Sequence, residues 1–173
     1  MPSPPGLHGA VDNRLLATLP AEEYHRLLPQ LEPVAFTLGH VVYEAGRRLP
    51  FVYFPTTAVV SLLSTLASGM TAEMGLTGND GVVGVALFLG GDTTPNRAVI
   101  QVAGGALQMK ARVLREEFAR GGAFQQALPR YTQALISPRS PRRRSVTAST
   151  PWSSGSAAGC CSATTTCGPR SCG

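Results

Sequence analysis

The chain has 173 residues, 15 Lys or Arg against 10 Asp or Glu, and a formal net charge of +5. It lacks an apolar run of the length a membrane span needs, and its start, "MPSPPGLHGAVDN", has no basic segment followed by an apolar one. A membrane span and a secretory leader are therefore not expected, and the expected location is the cytoplasm.

The averages hide a division. Residues 1–136 carry equal numbers of acids and bases, so the whole excess charge comes from Arg139, Arg142, Arg143, Arg144 and Arg170. All four cysteines also lie beyond position 136, and 14 of those last 37 residues are Ser or Thr. Such a segment cannot bury enough apolar area to offset its chain entropy. The reading is a loose start over 1–12, a folded unit over 13–136 and a disordered basic tail over 137–173.

Asn13 is a candidate N-cap for a short helix, "RLLATL", and Pro20 opens a second, "AEEYHRLLPQL", with acids in its first turn. From residue 32 the texture becomes short strands: "EPVAFTL", "HVVYEAG", "FVYFP", "AVVSLLSTL" and "TAEMGL". "AVIQV" and "ALQMK" follow as two strands joined by a tight Gly104–Gly105 turn. Short strands with recurrent glycines argue for an antiparallel roll. The stretch 78–98, "GNDGVVGVALFLGGDTTPNRA", interrupts the pattern; its apolar centre fits either a strand or one helical turn. After Lys110, Val113, Leu114 and Phe118 recur at helical spacing. Beyond a Gly121–Gly122 break, Phe124, Leu128, Tyr131 and Leu135 continue it. A stripe that runs to the end of a folded unit packs on something further along, or on a second copy. The fold class is mainly β with flanking helices: an antiparallel β-roll, jelly-roll-like, with a C-terminal amphipathic helix and a disordered tail.

Other chemistry finds little support. His8, His25 and His40 are too far apart in sequence to suggest a metal centre. The folded unit has no cysteine, so an iron–sulfur site lacks ligands. Cys160, Cys161, Cys167 and Cys172 do not match zinc spacing. Glu44, Glu73 and Asp80 are scattered, and no nucleophile–base pair stands out, so no enzymatic role is expected. "PRSPRRRS" offers salt-sensitive, non-specific attraction to nucleic acid at most.

Three stretches carry a resemblance: "LEPVAFTLGHVVYEAGRRLPFVYFPTTAVVSLL", "GNDGVVGVALFLGG" and "NRAVIQVAGGALQMK". With two leading helices and a long amphipathic helix after the roll, residues 13–136 resemble the sensor half of Crp/Fnr-type bacterial transcription regulators, a cyclic-nucleotide-binding-like domain. The resemblance implies a roll of about eight strands over 13–110 and a dimerisation helix over 111–136. Its contact residues would be Val113, Leu114, Phe118, Leu128, Tyr131 and Leu135. It makes 78–98 the phosphate-binding cassette, with Gly81, Gly84, Val85, Asn96, Arg97 and Ala98 as candidate effector residues. Glycines allow backbone N–H groups to approach an anion, and an arginine adds a charge partner. This chain departs from the nucleotide-binding pattern in two places. Gly84-Val85-Ala86 has no carboxylate for a ribose, and in Asn96-Arg97-Ala98 the arginine stands where a hydroxyl residue belongs. No cofactor is expected, and a cyclic nucleotide is disfavoured; the implied partners are an unidentified small-molecule effector and a second copy.

The family's winged helix-turn-helix has no counterpart after residue 136, so this chain is not expected to read DNA. A reading-frame change near Ile136 accounts for the tail. Read from the third base of each codon, Cys160 and Cys161 overlap to encode Leu whichever pyrimidine ends the first codon. Residues 145–168 then permit a helix-periodic string.

Overall fold

A computed structural model describes residues 12–65 and 70–137. The first eleven residues and the tail from residue 138 on, with all four cysteines, lie outside them. Two short helices open the described chain: α1, Arg14–Ala17, and α2, Ala21–Leu27. Seven strands follow: β1 Glu32–Phe36, β2 Val41–Tyr43, β3 Phe51–Pro55, β4 Val59–Thr65, β5 Thr71–Thr77, β6 Arg97–Val102 and β7 Gly104–Lys110. Two helices close it: α3, Ala111–Ala119, and α4, Gly122–Ile136.

The strands form two antiparallel sheets, one ordered β1-β7-β3 and the other β2-β6-β4-β5. This is the antiparallel roll with flanking helices that the strand pattern called for. Alternation splits β3 between two apolar clusters. Val52 and Phe54 join Leu107 and Met109 beneath the helices, with Leu16, Leu27, Leu114, Phe124 and Leu128. Tyr53 faces the other way, toward Val60, Leu62, Val83, Ala98 and Ile100 inside the roll.

Asn13 is the expected N-cap and more. Its side-chain oxygen accepts from the backbone N–H groups of Leu15 and Leu16, both at 3.1 Å. Its amide nitrogen donates to the carbonyls of Pro55 and Gly81 at 2.9 and 3.0 Å. The residue is fully buried, so each of its polar groups needs these partners.

Two expectations need correcting. Gly104 and Gly105 do not turn a hairpin; they are the first residues of β7, and β6 and β7 belong to different sheets. Gly104 is required by close approach, because a Cβ there would lie 2.6 Å from the backbone of Thr57 and Ala58. The helix expected over 111–136 is two helices. Gly121 and Gly122, with φ of 84° and 89°, turn the chain between them, a conformation that other residues adopt only under strain.

Candidate functional site

The stretch 78–98 is tied into the domain along its length. Val83 and Tyr53 exchange backbone hydrogen bonds of 2.8 and 2.9 Å, which fixes the loop against β3. Gly84 takes φ 108° and leads into a single 3-10 turn, Val85–Leu87. Of the two forms the sequence left open, a helical turn is therefore the one adopted. Leu87 and Phe88 are buried beneath the helices, and the Phe88 ring stacks on Phe118 at 5.9 Å. The return limb is anchored by Leu49 N–H donating to the Asp92 carbonyl and Gly46 N–H to the Thr94 carbonyl, both at 2.8 Å.

The candidate effector residues differ in burial and in partners. Gly81 is buried, and its carbonyl is occupied by Asn13. Gly84 is buried and Val85 is partly buried against the helix-side core. Asn96 donates its N–H to the Thr94 hydroxyl at 3.4 Å, a weak bond. Ala98 is fully buried inside the roll. Arg97 is about half exposed, and its Nε lies 3.2 Å from a Glu44 carboxylate oxygen. An anion arriving at Arg97 would compete with that carboxylate. Among the described residues there is no group of three His, Cys, Asp or Glu able to hold a metal ion.

The wall inside the roll is apolar, with aromatic rings at its margin. Phe36, Val42, Tyr43, Tyr53 and Leu135 pack partly buried against Val60, Leu62, Val83, Ala98 and Ile100. Burial pushes the Tyr43 phenol up to about 12, with the neighbouring Tyr131 adding to the shift. Charge is disfavoured there. A depression of about 450 Å³ is lined by Thr56–Val59, Leu76 and, at the start of the 78–98 stretch, Gly78–Asp80; Arg97 is not among its walls.

What the sequence did not indicate is how closely α4 engages this region. The Tyr131 ring lies over Gly81 so tightly that a Cβ on Gly81 would fall 2.6 Å from two of its ring carbons. Its hydroxyl is 3.2 Å from that of Thr77, which is buried. One turn later Leu135 reaches the cluster inside the roll. The other end of α4 is held by α2. The two carboxylate oxygens of Glu23 accept from the N–H groups of Ala123 and Phe124, each at 2.9 Å. Those N–H groups belong to the first turn of a helix and lack partners within it. Glu23 is held below the usual carboxylate range by these two bonds, with help from Arg26.

The stripe assigned to a partner is thus largely engaged within the chain. Leu114 and Leu128 have no exposed surface. Val113, Phe118 and Tyr131 pack on the helix-side core and Leu135 on the inner one. Glu117 is buried and bonded to Arg26 at 2.8 Å, with Arg120 at 3.6 Å, which locks α3 to α2.

No protein-family model and no curated protein matches the chain. Solved structures match its fold at low identity. The regulatory subunit of a cAMP-independent protein kinase A from Trypanosoma brucei is 17% identical with a TM-score of 0.63, over 72% of this chain and 44% of that one. The N-terminal domain of a transcriptional regulator from Streptomyces coelicolor is 17% identical with a TM-score of 0.57, over 71% and 87%. The c-di-GMP responsive global regulator CLP of Xanthomonas campestris is 18% identical with a TM-score of 0.52, over 67% and 56%. The chain spans about half the length of the trypanosomal and Xanthomonas proteins. The described residues therefore have the fold of cyclic-nucleotide-binding-like regulatory domains.

Proposed function

We propose that residues 13–136 are the effector-sensing and dimerisation part of a Crp/Fnr-type transcription regulator. In this reading 13–110 senses and α3–α4 carries the output, while the residues past 136 are translated out of frame and leave the chain without specific DNA binding. The observation that carries it is the seat of Tyr131 on Gly81 and Thr77. Any ligand that moves the 78–98 stretch must disturb the last helix, and a sensor needs such a connection. The fold shared with two bacterial regulators supports the same direction. The effector is a small molecule other than a cyclic nucleotide, since Arg97 is engaged by Glu44 and the 3-10 turn offers no carboxylate to a ribose.

A thermal-shift screen of the full chain tests the sensing. A true effector raises the melting temperature and changes amide exchange in 78–98 and 122–136 together. Cyclic AMP leaves both unchanged. A cyclic AMP shift that Arg97→Ala abolishes refutes the choice of ligand class, and an effector confined to one segment refutes the coupling. Re-sequencing past the codon for Ile136 tests the parentage: a winged helix in another frame supports it, and its absence from every frame refutes it.

A second reading, a stand-alone ligand or protein-interaction module acting without DNA, is favoured by one observation. The stripe of α4 is satisfied by its own roll, so the domain is self-contained as folded.

A further inference from the structure

We propose that the depression at the start of the 78–98 stretch is the seat of this chain's own first residues, with Leu7 as the side chain that fills it. The inference goes beyond the sensing reading and needs neither an effector nor a second copy.

The depression is bounded by 56–59 on one side and by Leu76 and 78–80 on the other. Ala58 is buried, Val59 partly buried and Leu76 half exposed. Val102, the register partner of Val59, is half exposed as well. Strand alternation fixes this outward setting: Val60 and Leu62 enter the cluster inside the roll, so Val59 faces away from it. β5 is the end strand of its sheet, and among the described residues no further strand covers Leu76. Burying such apolar surface against another apolar side chain is favourable.

The described chain begins at this place. Asp12 is its first residue, and the next two are bonded to both walls. Arg14 donates its N–H to the Asn79 carbonyl at 2.7 Å. The Asn13 amide donates to the carbonyls of Pro55, beside Thr56, and of Gly81, beside Asp80. The preceding eleven residues therefore start between the two walls. Five residues separate Leu7 from Asp12, a reach of up to about 17 Å when extended.

The composition of those residues, "MPSPPGLHGAV", suits the seat. Pro2, Pro4 and Pro5 disfavour a helix and hold the residues before them extended. Leu7 follows as the first large aliphatic side chain after the prolines. The segment carries no acid, while Asp80 is the one charged side chain of the lining. A seated Leu7 would press on 78–80, directly before Gly81, on which the Tyr131 ring rests. The first residues of the chain would thereby steady the part of the stretch that the last helix touches.

Amide exchange of the full chain tests the proposal. Removing residues 2–11 is expected to speed exchange at 76–80 by about fivefold or more, the half-burial of one leucine being lost, with β1 and β7 unchanged. Leu7→Asp keeps the chain length and should do the same, which keeps the test decisive if the shortened chain fails to fold. With the four native cysteines changed to serine, Leu7→Cys and Leu76→Cys together should form a disulfide within one copy. Unchanged exchange at 76–80 in both variants would overturn the proposal. A rise spread equally over β1 and β7 would mark general loosening and overturn it too. So would a disulfide formed only between copies, which would give the seat to a neighbouring molecule. Exchange in 122–136 on adding an effector is scored separately, so the sensing reading can survive the loss of this seat.

Discussion

Gly81→Ala is the sharpest probe of how α4 meets the candidate cassette. Gly81 does not have a positive φ, so its backbone accepts alanine and the cost is steric. The new methyl would fall 2.6 Å from Cε2 and Cζ of Tyr131 and onto its hydroxyl. The ring must withdraw, and it then loses its bond to Thr77. Overpacking of this kind costs about 1–3 kcal/mol, and a lost hydrogen bond costs about 0.5–1.5 kcal/mol. The expected destabilisation is about 2–4 kcal/mol on these scales, read as a lower urea midpoint at unchanged slope. Tyr131→Ala removes the obstacle, so Gly81→Ala in that background should cost less than about 0.5 kcal/mol. A small effect in the wild-type background, or additive costs in the double variant, would refute the seat.

Other substitutions test the remaining supports. Asn13→Ala removes a cap and two buried donors and should cost about 2–4 kcal/mol in urea unfolding; Asn13→Asp turns an acceptor oxygen onto the Pro55 and Gly81 carbonyls in a fully buried site and should cost at least as much. Leu128→Ala empties a fully buried site and should cost about 2–5 kcal/mol by the same assay. The carboxylate form of Glu23 is favoured by folding, so its contribution is present at neutral pH and is lost as pH falls through its lowered folded value. Stability measured across an acid series should decline less steeply in Glu23→Gln. Tyr43 is kept neutral by burial, with a folded value of about 12 against 10.0 ordinarily. Its contribution is complete below about pH 10 and is lost as pH rises toward the folded value. Alkaline unfolding should therefore be shallower in Tyr43→Phe, and phenolate absorbance should show one late-titrating group fewer.

Local signals were legible where local chemistry decides. Asn13 before "RLLATL" became a cap because its short side chain reaches the first free N–H groups. The β-branched run Val59–Thr65 became a strand because alternate residues could enter the roll. The glycines at 104 and 105 misled, since the sequence does not distinguish a glycine needed for a turn from one needed for close approach to Thr57 and Ala58. The helical period after Lys110 was correct, but period does not say which body receives the stripe. That depended on Glu23, about a hundred residues earlier, capping α4, and on Gly81 leaving space for Tyr131. Both are contacts between distant segments with no local signature. Arg97 was visible as a cation. Its Glu44 partner lies on a neighbouring strand end, and no spacing rule links the two.

The most direct test of the central claim is amide hydrogen exchange across the domain in wild type and Tyr131→Ala. If 78–98 and α4 are one mechanical unit, losing the ring should speed exchange in 122–136 and also in 78–84, leaving β1 and β7 unchanged. If α4 alone loosens and 78–84 keeps its wild-type protection, the helix is not connected to the candidate cassette and the sensing account fails.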